Sequence, residues 1–358
     1  MTLVNANLVH AKEWSPAMIA VVIINYRTAT DTQACLHALL PELHDGGRVF
    51  VLDNASGGDD ADRLQGFATE HSTQVDFQRS EVNLGFAAGM NVLLEKALSD
   101  PTIDRVLVLN SDTIPTPGFL ERMERSLDPA AKTDMVAARL LRRNSEAVDS
   151  LGITLYRCTL ASNRKSEDEI LLGPTGGCAL FTRRLLEDLR SSFGEWFDEA
   201  FFCYAEDTDM VLRARWLGYL PAYCRDAKVY HVGALSAGGR ESDFVLYHGI
   251  RNSIWWLAKN APGGWLLRSL PWFVVLHVGI WLRHLRRGRI RVLWRLYRDA
   301  IKGLRPMLAK RRTIALARRV PVSEFSRWIE PRFYSPGYMR RAWRELFGLS
   351  AAPRDSGT

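Results

Sequence analysis

Three apolar runs of strand length lie in the first third of the chain, and each ends at a carboxylate or amide side chain. They span residues 17–25, 48–53 and 105–112. Runs without polar alternation are typical of strands buried on both faces of a parallel sheet. Helical patterns over residues 31–40 and up to about residue 98 separate them. The sequence therefore predicts an α/β fold with a Rossmann-like, mostly parallel sheet flanked by helices.

The polar residues at the ends of these runs are Asn25, Asp53 and the triplet Asn110, Ser111 and Asp112. The carboxyl ends of parallel strands meet at one edge of a sheet, where open α/β sheets bind ligands. We therefore expect these side chains to converge on one crevice. A carboxylate buried there needs a cation or a hydrogen-bond donor. For Asp112 the structural alternative is equally open, namely that it caps the turn before a helix starting near Gly118.

A glycine-bearing segment at residues 83–91 contains Asn83, Gly85 and Asn91. We predict a loop here that runs into a helix, where glycine lets the backbone approach a ligand and the helix N-terminus favours an anion. Neither GxGxxG nor GxxxxGK[ST] occurs, so no dinucleotide or P-loop fingerprint is present. Each polar loop alone is more typical of turn chemistry, but together they favour a nucleotide crevice.

Three acids, Glu206, Asp207 and Asp209, fall within four residues among aromatic side chains. A salt-bridged helix start, with Arg213 four residues after Asp209, is the structural interpretation and accounts for Asp209. The excess acid suits a general base with a hydrophobic wall. His231 ends the last short apolar run, and with Asp112 and a phosphate pair it could hold a hard divalent ion. A structural histidine is the more common alternative at such a position.

The five cysteines are scattered without CxxC spacing, which argues against a disulfide framework or zinc site and for a reducing compartment. Residues 1–15 lack the long apolar core of a signal peptide, so we expect a short N-terminal tail at residues 1–17. Residues 351–358 are expected to form a disordered tail.

The charge is distributed unevenly along the chain. Residues 265–319 hold fifteen Arg or Lys and one acid, a local charge of +14, so the rest of the chain carries −7 of the net +7. Such a region needs an anionic partner, either nucleic acid or a membrane surface. The apolar run 269–282 is interrupted by Pro271 and is shorter than the roughly 20 residues of a bilayer span. Residues 290–308 show the pattern of a basic amphipathic helix that lies in an interface. Interleaved tryptophans favour lipid over a nucleic-acid groove, and packing on the main domain or in a dimer interface is the alternative.

Several motifs occur in an order that resembles a known family. They are Asn25-Tyr26, Asp53-Asn54-Ala55-Ser56, Asn83-Leu84-Gly85-Phe86, Asn110-Ser111-Asp112, Gly176-Gly177, Glu206-Asp207 and Tyr230-His231. The chain resembles the family-2 inverting glycosyltransferases of GT-A fold, in particular the bacterial rhamnosyltransferase-like branch. The resemblance covers about residues 18–256.

The resemblance implies roles for the matching residues. Nucleotide-sugar binding falls to Asn25, Tyr26, Asp53, Asn83, Gly85, Asn91, Asn110, Ser111 and Asp112, and the vicinity of the sugar and acceptor to Gly176, Gly177, Glu206 and Arg251. Asp207 matches the general base, and Asp112 and His231 match ligands of Mg²⁺ or Mn²⁺. Asn110 replaces the first acid of the family's DxD motif, which leaves one carboxylate of that motif for the ion.

The resemblance also implies an activity, the inverting transfer of a sugar from a dTDP- or UDP-sugar to a saccharide or polyprenyl-linked acceptor in cell-surface polysaccharide synthesis. L-Rhamnose from dTDP-rhamnose is the first expectation, with UDP-hexose or UDP-galactofuranose as alternatives. A nucleotidyltransferase is disfavoured because residues 25–30 lack glycine. A protein that binds nucleic acid or membrane through its basic region is the alternative of another class.

The expected organisation has a GT-A domain at residues 18–240 and a membrane-associating helical region at residues 241–350. Within the first, residues 18–115 are expected to bind the donor and residues 116–240 the acceptor. We expect a cytoplasmic protein bound peripherally to the anionic inner face of the cell membrane, without a nucleic-acid partner. The oligomeric state is left open.

Overall fold

A computed structural model of the chain describes residues 18–44, 46–231 and 242–335. The expectations for the two tails at residues 1–17 and 351–358 lie outside these ranges. So do residues 232–241 and 336–350, which contain the expected boundary between the two regions and the end of the helical region.

Within the described residues the strands are β1 (Ile19–Asn25), β2 (Arg48–Asn54), β3 (Val75–Ser80), β4 (Arg105–Leu109), β5 (Thr113–Pro115), β6 (Thr133–Arg142), β7 (Val148–Ser150), β8 (Ile153–Tyr156), β9 (Ala161–Asn163), β10 (Cys178–Thr182), β11 (Leu220–His231) and β12 (Ile329–Glu330). The α-helices are α1 (Ala29–Leu39), α2 (Asp60–Glu70), α3 (Gly85–Leu98), α4 (Phe119–Arg125), α5 (Arg183–Phe193), α6 (Glu206–Trp216), α7 (Asp243–Asn260), α8 (Gly263–Arg286), α9 (Ile290–Ala317) and α10 (Glu324–Arg327).

The main sheet has the strand order β3-β2-β1-β4-β10-β6-β11-β5, with β7 paired to β6. The strands from β3 to β4 are all parallel, as the apolar runs predict, and Asn25 lies opposite Asp53 in their register. Beyond β4 the sheet is mixed, because β10 runs antiparallel to both β4 and β6. The predicted sheet flanked by helices is confirmed, and its parallel half carries the crevice edge.

Alternate residues of β1 face opposite layers of the core. Ala20 and Val22 pack in one cluster with residues of α3, whereas Val21 and Ile23 pack in a second cluster with residues of α1. Successive side chains of a strand point to opposite faces, so a strand covered on both sides must be apolar throughout. This explains the uninterrupted apolar runs and fixes the polar ends of the strands at the open edge.

The polar stretch after β6 forms a second, smaller sheet of order β12-β8-β9, in which β12 from the far end of the chain pairs in parallel with β8. The sequence predicted an excursion or a less regular sheet there. The second sheet therefore joins the C-terminal residues to the middle of the chain.

The helical region packs against the main domain through α7 and α9, which contact each other and both contact α6. Leu293, Leu296 and Ala300, three of the apolar residues of the predicted amphipathic helix, are buried. For these residues the packing alternative is therefore correct. The predicted interruption at Pro271 does not occur, since α8 runs through it from Gly263 to Arg286. A proline removes one backbone hydrogen bond from a helix, and the remaining bonds and the packing of α8 continue on both sides.

Candidate active site

The ends of β1 and β2 are joined by a buried polar cluster. The Asn25 amide donates to Asp53 Oδ1 at 2.7 Å, and the Ser56 hydroxyl donates to the same oxygen at 2.5 Å. Asp53 Oδ2 accepts from the Ser56 amide at 3.2 Å. Asn25 and Asp53 are 0% and 1% exposed. The two residues are brought together as predicted, and in this arrangement they fix the floor of the crevice.

The turn after β4 continues this cluster. Ser111 Oγ lies 3.2 Å from Thr28 Oγ1, and Thr28 Oγ1 donates to Asn25 Oδ1 at 3.1 Å. The Asn110 amide N–H donates to the Gly177 carbonyl at 3.0 Å, which connects the turn to the residues before β10. Polar groups from three strand ends thus form one continuous network, as expected from the parallel sheet.

Asp112 meets His231 at the end of β11, where β11 pairs with β5 and places His231 opposite Thr113. Asp112 Oδ1 is 3.2 Å from His231 Nε2, and Asp149 Oδ2 is 2.8 Å from His231 Nδ1. Burial alone would lower the pKa of His231, but the hydrogen bonds and charges of the two carboxylates outweigh it and raise that pKa to about 9.

This donor set fits a divalent cation. A carboxylate from the turn between β4 and β5 and an imidazole nitrogen from the end of β11 lie within hydrogen-bonding distance of each other, and both side chains are largely shielded from solvent. A carboxylate on the second ring nitrogen is the usual partner of a metal-ligating histidine, because it fixes the ring orientation and raises ligand basicity. Asp149 in β7 supplies that carboxylate here. Nothing in the sequence around Asp149 marks this role, because the contact joins two residues that are 82 positions apart.

A second acidic cluster lies behind the crevice. Glu195, Asp198 and Asp209 offer carboxylate oxygens within 4.8 Å of one another. Lys259 Nζ lies between them, at 3.0 Å from Glu195, 2.7 Å from Asp198 and 2.8 Å from Asp209. Two further cations, Lys310 and Arg213, also contact these acids. Three positive side chains therefore balance three negative ones, so this cluster joins α7 and α9 to α6 and is a structural network. The predicted pairing of Asp209 with Arg213 is part of it.

Asp207 lies in the first turn of α6 and contacts the turn that precedes β10. Its Oδ2 accepts from the Gly176 amide at 3.0 Å, and its Oδ1 accepts from the Thr208 amide at 2.6 Å. Burial raises the pKa of Asp207, and these amide hydrogen bonds oppose that rise in part. The carboxylate is therefore held in one orientation and has more proton affinity than an exposed aspartate, as a general base requires.

The Gly176–Gly177 turn separates Asp207 from the Asp112–His231 pair. Gly176 donates to Asp207, and the Gly177 carbonyl accepts from Asn110, whose Nδ2 lies 3.5 Å from His231 Nε2. A Cβ added to Gly176 would lie 3.0 Å from the Phe86 ring. The predicted base and the predicted metal ligands thus lie on either side of one turn, within a chain of direct contacts.

Glu206, the neighbour of Asp207, is 5% exposed, and its Oε2 has no hydrogen-bond partner among the residues that the structure describes. Burial and the charge of Asp207 raise the pKa of Glu206 well above its usual range. Burial disfavours the charged form of a carboxyl group. Glu206 therefore holds a proton more readily than an exposed glutamate does, which lessens charge repulsion beside Asp207.

The segment before α6 has a strained backbone. Phe202, Tyr204 and Ala205 have φ values of 65°, 69° and 66°, in the left-handed region that such residues rarely adopt. Asn252 of α7 donates through one amide nitrogen to the carbonyls of Phe201, Cys203 and Tyr204 at 2.6–2.9 Å. Backbone strain of this kind persists only where the surroundings hold it. We call residues 201–205 the base loop.

Arg251 supports the same loop from behind. Its guanidinium donates to the Phe201 carbonyl at 3.0 Å and stacks over the Trp255 ring at 4.2 Å. The residue is 8% exposed. The structure therefore places Arg251 as a support of the base loop. The same loop contacts α3, because the Phe86 amide donates to the Phe202 carbonyl at 2.7 Å.

Asn83 and Gly85 are positioned by Asn54, a residue for which the sequence predicted no role of its own. The Asn54 side chain donates to Asn83 Oδ1 at 3.2 Å and accepts from the Leu84 amide at 2.8 Å. The predicted loop at residues 83–91 is shorter than expected, since α3 already begins at Gly85. Gly85 has φ +75° and starts the helix beside the Phe202 carbonyl, which leaves no room for a side chain.

Asn91 and Tyr26 occupy the margins of the site. The Asn91 amide donates to the Phe197 carbonyl at 2.9 Å and its oxygen accepts from the Phe197 amide at 3.0 Å, so it fastens the segment that leads to the base loop. Tyr26 is partly exposed beside Arg27, whose guanidinium lies 5.0 Å from the tyrosine ring centre.

Comparison with known proteins gives a family match. Residues 20–190 match the family model described as glycosyl transferase family 2. The chain is also similar to N-acetylglucosaminyl-diphospho-decaprenol L-rhamnosyltransferase from Mycobacterium tuberculosis, with 26% identity over 322 residues, 77% of this chain and 98% of that protein.

Solved structures with the same fold include two glycosyltransferases. Mannosyltransferase PcManGT from Pyrobaculum calidifontis, in complex with GDP-Man and Mn²⁺, has a TM-score of 0.51 and 16% identity, with 85% of this chain and 88% of that chain covered. S. aureus TarS (residues 1–349) in complex with UDP-GlcNAc has a TM-score of 0.52 and 15% identity, with coverage of 87% and 92%. These likenesses confirm the GT-A fold expected from the sequence.

Proposed function

We propose that this chain, whose residues 20–190 match the glycosyl transferase family 2 model, is an inverting, metal-dependent enzyme that transfers a sugar from a nucleotide diphosphate sugar to a hydroxyl acceptor. The observation that carries the proposal is the placement of Asp207 and the Asp112–His231 pair on either side of the Gly176–Gly177 turn. With the base on one side and the ion site on the other, an acceptor hydroxyl can attack the anomeric carbon from the face opposite the departing diphosphate.

In the proposed reaction, Asp207 removes the proton from the acceptor hydroxyl. The acceptor oxygen forms a bond to the anomeric carbon while the bond from that carbon to the phosphate oxygen breaks, and the nucleoside diphosphate leaves. One displacement inverts the anomeric configuration. The amides of Gly176 and Thr208 hold the Asp207 carboxylate in place for the proton transfer.

Asp112 and His231 would hold Mg²⁺ or Mn²⁺, with Asp149 orienting the imidazole. When bound, the ion offsets the negative charge on the diphosphate. The raised pKa of Glu206 favours its neutral form and so limits charge repulsion beside the base.

We propose dTDP-rhamnose as the donor and a saccharide linked to a polyprenyl lipid as the acceptor. The support is the Mycobacterium tuberculosis relative, whose name states an L-rhamnosyltransferase acting on a decaprenol-linked N-acetylglucosamine. UDP-hexose and UDP-galactofuranose are the alternative donors. A lipid-linked acceptor and the basic C-terminal region together support a peripheral location at the cytoplasmic face of a membrane.

Isothermal calorimetry with dTDP, UDP and GDP, each with and without Mn²⁺, tests this proposal. We expect metal-dependent binding of dTDP or UDP that is weakened by Asp53→Ala and Asp112→Asn and retained by Asp207→Asn. The exposed Asp226→Asn is the matched control and should bind as the wild type does. Absence of binding by all three nucleoside diphosphates, both with and without Mn²⁺, would remove the transferase assignment.

A further inference from the structure

The outer face of α8 is an exposed apolar stripe. Leu267, Leu270, Val274, Val275, Val278, Leu282 and Leu285 are each 47–75% exposed. Apart from the adjacent pair Val274 and Val275, successive members are three or four residues apart, which puts them on one side of the helix over a length of about 27 Å at 1.5 Å per residue. Between Arg268 and Arg283 the helix has no charged residue. We call these seven side chains the α8 stripe.

The opposite face of α8 is packed against the protein. Leu276 and Ile280 share a buried cluster with Leu293, Leu296 and Tyr156, which belong to α9 and β8. Of the described helices, α8 alone is long and apolar enough to cross a membrane, with a mean hydropathy of 1.4 in its most apolar window. Its packed inner face argues for a helix that lies along a bilayer surface, with the α8 stripe turned outward.

A cleft opens beside the first turns of α8. It has a volume of about 300 Å³ and is lined on one side by Trp265, Arg268 and Trp272 of α8. Arg157, which follows β8, forms the other side, and its guanidinium lies 4.9 Å from the centre of the Trp272 ring. Ser326 lines the same cleft. Arg268 lies on the same side of α8 as Val275, two helical turns further on, so the cleft borders the edge of the α8 stripe.

The two arginines of the cleft have no acidic partner. Neither Arg157 nor Arg268 forms an ion pair with any residue in the part of the chain that the structure describes, and no acid lines the cleft. Arginine binds phosphate oxygens through its planar fork. Tryptophan favours the depth of lipid headgroups, where an apolar ring and a polar edge are both satisfied. The cleft therefore matches an anion that stands next to hydrocarbon.

We propose that the cleft binds the phosphate of an anionic membrane phospholipid whose acyl chains lie along the α8 stripe. The charge of +14 over residues 265–319 gives the same surface a long-range attraction to anionic lipid. The inference rests on the membrane location proposed above. Its test needs neither donor nor acceptor, so its failure is distinguishable from failure of the transferase assignment.

Vesicle flotation of the full chain tests the proposal, with phosphatidylcholine vesicles and with vesicles that also contain phosphatidylglycerol. The wild type should bind the mixed vesicles more tightly. Each arginine near an anionic surface contributes about fivefold in affinity, so Arg157→Gln with Arg268→Gln should weaken binding about 25-fold. The control carries Arg63→Gln and Arg125→Gln, on α2 and α4, and removes the same charge away from α8. The control should therefore bind the mixed vesicles about tenfold more tightly than the cleft variant does.

A second pair of variants tests the stripe. Val274→Asp should abolish binding to the mixed vesicles, whereas Leu220→Asp, at a β11 position of similar exposure, should leave it unchanged. Far-UV circular dichroism and the melting temperature of each variant serve as a check of folding.

Three results would overturn the proposal. The first is a wild type that does not distinguish the two kinds of vesicle, and the second is equal loss by the cleft variant and its charge control. The third is displacement from mixed vesicles by millimolar inorganic phosphate, with calorimetric phosphate binding that depends on Arg157 and Arg268. That result would assign the cleft to free phosphate.

Discussion

Replacement of Lys259 by methionine should destabilise the protein by about 3 to 5 kcal/mol, the range seen when one partner of a buried ion pair is removed. The ammonium is 1% exposed and contacts Glu195, Asp198 and Asp209 at 2.7–3.0 Å. Its loss leaves three carboxylates against Lys310 and Arg213, and therefore one uncompensated charge in the interior. Methionine has nearly the same length, so a cavity contributes little.

The pKa of Asp209 gives a second view of the magnitude. Burial would raise this pKa, but the charges of Lys259 and Arg213 outweigh it and lower it from 3.8 to about 2. A downward shift of this size corresponds to about 2 kcal/mol of stability from that carboxylate alone at neutral pH. Glu195 and Asp198 add their own contacts, so the two views are compatible.

Urea unfolding at neutral pH, followed by tryptophan fluorescence, measures the effect, with the exposed Lys302→Met as the control at less than about 0.5 kcal/mol. Because the folded-state pKa of Asp209 is lowered, its stabilisation is present above its ordinary pKa and is lost as pH falls towards 2. The difference between wild type and Lys259→Met should therefore shrink on acidification below about pH 4. A loss below about 1 kcal/mol at neutral pH, or a difference independent of pH, would refute the reasoning.

Three further predictions concern the site. Asp149→Asn should weaken Mn²⁺ binding by about 10- to 100-fold, because the imidazole of His231 loses the carboxylate that orients it. Calorimetry in the presence of UDP measures this affinity, and an unchanged value would contradict the assignment of His231 as a ligand. Asp207→Asn should lower kcat by about 10²- to 10⁴-fold with donor affinity retained. The pKa of Asp207 is raised, so wild-type kcat/KM should fall as the pH is lowered, and this fall should occur at a higher pH than the pKa of an ordinary aspartate. A flat pH profile would argue against this base. Gly85→Ala should weaken donor binding and lower the melting temperature, because the added Cβ would lie 2.6 Å from the Phe202 carbonyl oxygen. Gly66→Ala in α2 is the control: its Cβ would meet nothing within 4 Å, so this change should be neutral or stabilising.

The parallel half of the sheet could be predicted because its evidence is local. A strand buried on both faces is apolar at every position, so residues 17–25, 48–53 and 105–109 show it without any knowledge of their partners. β11 was predicted only at its last four residues. Its first eight are mixed in polarity and half-exposed in part, so neither alternation nor an apolar run marks them.

The candidate site was predicted where a side chain follows a strand, and missed where it depends on a distant partner. Asp112 and His231 came from strand ends and from the family resemblance, and the structure places them 3.2 Å apart. Asp149, Asn54 and Lys259 act on residues 29 to 82 positions away, and nothing in their neighbours marks such contacts. Arg251 was predicted near the sugar, and its contact with the Phe201 carbonyl of the base loop could not be predicted because it joins residues 50 positions apart.

The support of the base loop by α7 also sets an order of events during synthesis of the protein. The N-terminal strands that form the crevice floor emerge from the ribosome long before the helical region, since synthesis runs from the N-terminus. The carbonyls of Phe201, Cys203 and Tyr204 in the base loop receive their donor from Asn252 only after a further 48 to 51 residues have been made. A nascent chain can therefore contain all the strands of the crevice floor before the residue that holds the base loop next to Asp207 has been made, and α8 with its apolar stripe follows later still.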